Sequence, residues 1–215
     1  MDGKFYTSER SIQILISLLK AHNVKKCVLS PGATNITLVG SLQQDPWFEC
    51  YSSVDERSAA YIACGMAAES GEPVLLSCTG ATASRNYLPG LTEAYYRKLP
   101  VLAVTSTQDI SRIGHHIAQV IDRRAMQNDV VLLSEYIPVT DNDTKEWSNT
   151  VKINRALLEL RHRGGGPVHL NVETTYSRDF SVRELPQARV IRRVMPQDVF
   201  PGIPQGRVAV MIGSH

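Results

Sequence analysis

The sequence predicts an α/β fold of three layers, α/β/α, around a mainly parallel sheet of about six strands. Two observations carry that prediction. Runs such as PVLLSC at 73–78 and PVLAVT at 100–105 are apolar throughout rather than alternating, the pattern of strands buried on both faces. Nearly every such run is separated from the next by a stretch with helical apolar spacing, the alternation that builds a parallel sheet through crossover helices.

The elements follow in order. Residues 8–22 carry Ile12, Leu15, Ile16 and Leu19 on one stripe and read as a helix, with Ser8 placed to cap it. KCVLS at 26–30 is a short buried strand ended by Pro31-Gly32, 34–43 is helical, and WFECY at 47–51 is extended. A helix then runs to about residue 70. The strand at 73–78 is followed by a helix at 82–97 and the strand at 100–105. A polar loop reaches about 118, a short helix is expected near 120–127, and 130–133 is extended. A helix at 144–162 and the strand PVHLNV at 167–172 complete the set. Beyond about 175 the periodicity breaks, and prolines 186, 196, 201 and 204 mark 176–207 as a linker. RVAVMI at 207–212 then reads as the first strand of another α/β unit.

Composition narrows the function classes. At 215 residues, 43% hydrophobic and 20% charged, the chain is long enough to bury a core without disulfides. A formal net charge of +2 leaves no electrostatic footprint for nucleic acid or an acidic membrane. Cys27, Cys50, Cys64 and Cys78 show neither a CxxC pair nor metal-ligand spacing and read as reduced core thiols. The N-terminus has no signal-peptide core and no apolar run approaches a membrane span, so a soluble cytoplasmic protein is expected.

Several standard sites are excluded by spacing. SPGATN after the first strand is neither GxGxxG nor a P-loop, and RHRGGGPV at 161–168 follows a helix instead of opening one. No GxSxG elbow is present. His115-His116 lies in the loop after the fourth strand, where open α/β sheets place ligand crevices, and can supply acid, base or donor chemistry. Two solvated loop histidines would read the same way, and no third ligand stands at zinc spacing.

Glu56, within VDERSAAYIACGMA at 54–67, has two readings. Ser53-x-x-Glu56 fits a capping box at the start of the helix. Glu56 also heads the face that continues through Ala60, Ala63 and Ala67, which packs, and a carboxyl group desolvated there is a candidate functional acid.

Taken together, SPG at 30–32, VDERSAAYIACGMA at 54–67, CTGATASRNYLPGLTEA at 78–94, LPVLAVTS at 99–106 and GPVHLNVE at 166–173 resemble, in order and spacing, the N-terminal pyrimidine-binding domain of thiamine diphosphate-dependent decarboxylases and carboligases. The wording DERSAA is similar to the menaquinone-pathway branch of that family. The resemblance implies that Glu56 hydrogen-bonds N1′ of the aminopyrimidine and so prepares the exocyclic nitrogen to take the thiazolium C2 proton. It implies that Pro31, Gly32, Thr79, Gly80 and Ala81 approach the cofactor by backbone, and that Gln119 lies close to the reacting centre. A His-His pair in the corresponding loop resembles the pyruvate decarboxylase branch and would bring His115 and His116 to the site. The chain departs from the menaquinone branch at Ala33-Thr34 and at Gln108, where that branch carries arginines for substrate carboxylates.

The resemblance further implies a division into a pyrimidine-binding domain at 1–180, a linker at 181–206 and the truncated start of a central domain at 207–215. It implies Mg2+ and the diphosphate held by a C-terminal domain outside this sequence, a 2-oxo acid substrate, and a homodimer or tetramer formed through the pyrimidine domain. A non-catalytic ligand-sensing or dimerising module is the rival expectation, in which Glu56 is a cap alone.

Overall fold

The computed structural model describes residues 5–195, 198, 199, 202 and 205–207, so that the strand expected at 207–212 lies outside the described residues apart from Arg207. Its centre is a six-stranded, wholly parallel sheet in the order β2-β1-β3-β4-β6-β5. The strands are β1 (Lys26–Leu29), β2 (Glu49–Ser52), β3 (Val74–Cys78), β4 (Val101–Thr107), β5 (Leu133–Ile137) and β6 (Val168–Glu173). The helices are α1 (Arg10–Ala21), α2 (Ile36–Gln43), α3 (Glu56–Ser70), α4 (Thr82–Arg85), α5 (Leu88–Tyr96) and α6 (Asp143–Glu159).

Successive strand residues point to opposite faces, and here they feed two separate cores. Leu75 and Leu102 join Ile12, Leu15, Ile16 and Leu19 of α1 with Ile153 and Leu157 of α6 on one face. Val74, Leu76, Val101 and Ala103 join Ala59, Ala60, Ala63 and Ala67 of α3 with Leu91 of α5 on the other. Every residue of β3 and β4 is buried, which is why those two strands read as unbroken apolar runs.

Where structure and sequence pattern part, a specific interaction decides. The stretch 82–97 is two helices, because Pro89 in the first turn of α5 has no N–H to continue the ladder from α4. No helix forms at 120–127: Arg123 turns inward and donates to Ser106 O at 2.7 Å and Ser84 Oγ at 2.9 Å. The strand expected at 130–133 begins at Leu133 instead, since Val130 and Val131 are buried in the core under α3 and α5. Ser8 does not cap α1; the N-cap is Glu9, whose buried Oε1 accepts from Thr175 N, Thr175 Oγ1 and Ser177 N.

Residues 177–191 pack back along the same domain. Tyr6 and Val182 form an antiparallel bridge, Ser17 Oγ donates to Pro186 O at 2.8 Å, and Asn154 holds Arg189 O and Ile191 N at 2.9 Å each. No described helix is long and apolar enough to cross a membrane.

Candidate cofactor site at the sheet switch point

The chain leaves β1 toward β2 on one side and returns to β3 on the other, so strand order reverses between β1 and β3. In open α/β sheets a crevice for ligands opens at such a point, beyond the carboxyl ends of the strands. Two of the candidate turns stand there side by side. Pro31-Gly32 follows β1 and Thr79-Gly80-Ala81 follows β3, and the two strands are register partners from Lys26↔Val74 to Leu29↔Ser77.

The two turns pack tightly against each other and against the loop after β4. A Cβ on Gly32 would lie 2.2 Å from Thr79 Cγ2, and one on Gly80 would lie 2.6 Å from Gln119 O and 2.8 Å from Ser106 O. Side chains larger than hydrogen do not fit at either position. Gly80 N donates to Thr34 Oγ1 at 3.1 Å, Gly32 N to Asn35 Oδ1 at 2.8 Å, and Asn35 Nδ2 to Ser30 O at 3.2 Å. Ala81 completes the turn at φ +56, a left-handed conformation that a non-glycine residue adopts only under constraint. The result is a junction of two turns tied together through Thr34 and Thr79.

Glu56 is the first residue of α3, the helix that carries the chain from β2 back to β3. Asp55, not Ser53, is the N-cap, and its carboxylate accepts from Ser58 N at 2.7 Å. Ser53 instead donates its hydroxyl to Asp55 O, so the capping box expected from Ser53-x-x-Glu56 does not form. Glu56 is therefore free of a capping role. It is half-buried rather than sunk among the alanines. Those alanines serve close packing: a Cβ on Gly90 of α5 would lie 2.5 Å from Ala60 Cβ, and Cys64 donates its thiol to Gly90 O at 3.2 Å. Small residues on both helices let their backbones approach, and that approach fixes the N-terminus of α3 over the carboxyl edge of the sheet.

One Glu56 oxygen is held. Asn86, at the end of α4, donates Nδ2 to Oε2 at 3.4 Å, while no described residue hydrogen-bonds Oε1. Beneath the carboxylate lies a buried polar layer. Burial pushes the Cys78 thiol up to about 12 and the Tyr87 phenol well above its ordinary range, and the negative charge of Glu56 raises both further. Ser30 Oγ, at the end of β1, is buried with Tyr87 OH and the Cys78 thiol, and the three lie within reach of one another.

The remaining candidates sit on the loop after β4. Gln119 is exposed with φ +62, and its backbone carbonyl rests on Gly80, which joins it to the paired turns. His115 and His116 are exposed on the same loop, and no described side-chain contact ties them to Glu56. Arg123 is the one buried residue between 111 and 129, and burial holds its guanidinium down to about 10. Two functional candidates were not legible in the sequence. Asn86 reaches Glu56 across 30 residues, and Arg123 is indistinguishable from its neighbour Arg124 until one is seen to turn inward. Among the described residues no cluster of three or more His, Cys, Asp or Glu is placed to hold a metal ion.

The two positions that depart from the menaquinone branch are both engaged. Thr34 is buried and bridges the turns through Gly80 N, with Thr174 Oγ1 donating to its carbonyl at 2.8 Å. Gln108 accepts from Arg112 Nη1 at 2.5 Å and donates to Ala118 O at 3.3 Å.

These features suit a small nitrogen heterocycle: a switch-point crevice bounded by two tightly packed turns, and a carboxylate with one oxygen free at its rim. Comparison with known proteins points the same way. Residues 10–126 match the family model described as thiamine pyrophosphate enzyme, N-terminal TPP binding domain. The chain is 36% identical over 196 residues to 2-succinyl-5-enolpyruvyl-6-hydroxy-3-cyclohexene-1-carboxylate synthase of Bacteroides thetaiotaomicron, covering 91% of this chain and 35% of that one. Coverage is the same against the synthase of that name from Bacteroides fragilis, at 37% identity. Against that of Desulfotalea psychrophila identity is 30% over 187 residues, covering 85% and 35%. The chain thus spans about a third of the length of the curated relatives it matches. With the match covering more than half of its residues, the chain belongs to the thiamine pyrophosphate enzymes, as their N-terminal cofactor-binding domain.

Proposed function

We propose that this domain forms the aminopyrimidine half of a thiamine diphosphate site in an enzyme that decarboxylates a 2-oxo acid and passes the remaining acyl unit to an acceptor. The observation that carries this reading is Glu56 at the head of α3, with Oε2 held by Asn86 and Oε1 open beside the paired turns at the switch point. The cofactor, once bound, supplies the electron sink for loss of carbon dioxide. The chain's own residues do the rest of the work on this side. Glu56 Oε1 would hold or exchange a proton at a ring nitrogen of the bound group. Pro31-Gly32 and Thr79-Gly80-Ala81 would border the bound ring, and Gln119, whose carbonyl packs on Gly80, would lie at the same edge. Mg2+ and the diphosphate are assigned to a part of the protein outside this chain.

The full-length gene product, supplied with thiamine diphosphate and Mg2+, is expected to release carbon dioxide from at least one acid in a panel of 2-oxo acids, and this domain alone is expected to release none. A full-length protein that binds the cofactor yet decarboxylates no member of the panel would remove the reaction assignment. A second reading is the synthase reaction of the named relatives, favoured by identity over 91% of this chain. Thr34 and Gln108 weigh against it, since neither can grip a carboxylate with a bidentate fork and both are already bonded within the domain.

The same reading includes a homodimer. Tyr61 and Ile62 of α3 are 48% and 45% exposed, and Val54 just before the helix is 94% exposed, an apolar group beside Glu56 that association would cover. Light scattering is expected to give the mass of two chains, and Ile62→Glu with Tyr61→Glu the mass of one. A single-chain mass for the unaltered protein at high concentration would overturn the pairing.

A further inference from the structure

Cys27 and Cys50 stand apart from the site described above, and nothing in the proposed reaction uses them. They are register partners on the neighbouring parallel strands β1 and β2, so both side chains leave the sheet on the same face. Adjacent strands lie about 4.8 Å apart, inside the Cα separation of roughly 4.4–6.8 Å that a disulfide spans. Cys27 belongs to the core under α1 and α2, and Cys50 packs against that same core from the edge strand, where it is half-buried. Cys27 Sγ donates to Lys25 O at 3.5 Å, and the proximity of the two thiols lowers the pKa of Cys50 and, with burial, raises that of Cys27 well above its ordinary range. One sulfur of the pair is therefore the better nucleophile and the more accessible one. Cys64 and Cys78 differ on every count: both are fully buried in the core on the opposite face of the sheet, and burial pushes their thiols up to about 11 and about 12.

We propose that Cys27 and Cys50 are a reversible disulfide site, closed by a two-electron oxidant of the peroxide class and reopened by a dithiol. Cys50 gives up its proton and its sulfur attacks one peroxide oxygen; the S–O bond forms, the O–O bond breaks, and the leaving hydroxide takes that proton as water. The Cys27 sulfur then attacks the sulfenic sulfur; the S–S bond forms, the S–O bond breaks, and the Cys27 proton leaves with the hydroxide as a second water. Two electrons pass from the thiol pair to the peroxide. The bond ties together the strands whose carboxyl ends lead into Pro31-Gly32 and, through 53–55, into Glu56. Oxidation at the sheet edge thereby clamps the two approaches to the cofactor site.

The test uses this chain as it is. Reduced protein is treated with hydrogen peroxide, alkylated, and digested with a protease that cuts after Glu49, because no Lys or Arg separates Cys27 from Cys50. The expected result is loss of two of the four alkylatable thiols, a linked peptide pair containing Cys27 and Cys50, no change in chain mass beyond two hydrogen atoms, and full recovery with dithiothreitol. Cys64→Ser and Cys78→Ser leave the link intact, and Cys50→Ser abolishes it. Oxidation of Cys50 onward to sulfinic or sulfonic acid without a link, links only between chains, or survival of all four thiols under excess peroxide would each overturn the proposal. The unaltered chain decides the matter by itself, so a variant that fails to fold does not blur the outcome.

Discussion

Glu56→Gln in the full-length protein is expected to slow exchange of the cofactor's C2 proton on the order of 10²–10⁴-fold while leaving the fold intact. Glutamine keeps the length and the hydrogen bond to Asn86 but cannot hold or release a proton at Oε1. The stability cost is small, because Asp55 and not Glu56 caps α3. What is lost is the favourable placement of a carboxylate in the first turn, worth about 0.3–1 kcal/mol. Exchange followed by NMR of acid-quenched samples, beside a thermal melt, separates the two effects. Normal exchange in a folded, cofactor-bound Glu56→Gln protein would sink the assignment of Glu56 and leave a cofactor-binding domain without its proton partner.

The second large effect is a loss of stability in mild acid, traced to His169. This side chain lies in β6 at 1% exposure, with Nε2 2.8 Å from Thr105 Oγ1 and Nδ1 2.8 Å from Ser134 Oγ. Two hydroxyls can each donate or accept, so a neutral imidazole is fully satisfied there. Burial, helped by the Arg123 and Arg85 cations, drives its pKa from 6.5 down to about 3. The sign follows directly. Above pH 6.5 the imidazole is neutral in both states and contributes no pH dependence. As pH falls from 6.5 toward 3 the unfolded chain takes up a proton that the folded chain refuses, and stability is lost. Each pH unit in that window removes about 1.4 kcal/mol, or roughly 3 kcal/mol by pH 4.5. Urea unfolding at pH 7 and pH 4.5 should show that loss in the native sequence and most of it gone in His169→Gln. Equal pH dependence in the two would refute the account. Should His169→Gln fail to fold, the His169 ring resonances of the native protein at pH 4.5 decide it, because they must still report a neutral imidazole.

The sequence made the central strands and the helices legible because burial on both faces writes itself into composition. β3 and β4 had to be apolar throughout, and the α1 stripe had to repeat at helical spacing. The edges were harder. β5 is an edge strand with four half-buried residues in five, so its Ser-Glu-Tyr reads as loop, while the apolar Val130-Val131 before it is a plug in the core and not a strand. The start of α3 read as a Ser53-x-x-Glu56 capping box, whereas the cap that forms is Asp55 accepting from Ser58 N, a shift of two residues that the local pattern did not reveal. Among the candidate site residues, Glu56 stood out locally as a charge at a helix head, whereas Pro31-Gly32 and Thr79-Gly80-Ala81 became candidates only through the family resemblance, since lone glycines at strand ends fit no standard motif. Asn86 and Arg123 act across long sequence separations, and nothing in their own neighbourhoods distinguishes them from solvated polar residues.

Arg123 has a consequence for how this domain can change over time. From residue 111 to 129 no other residue is fully buried, and lesser ties join it: Gln119 O against Gly80, Ala118 O accepting from Gln108, Asp122 O accepting from Arg85, and Met126 packed on the core under α3 and α5. Substitutions and length changes at the exposed positions 114–117, ahead of the Arg123 mooring, leave both cores untouched and cost little in folding free energy. The segment that carries His115 and His116 is thus an exchangeable part. Selection, or a designer grafting a related segment, can alter what the crevice accepts without re-engineering the scaffold, provided an arginine still lands beside Ser84 and Ser106.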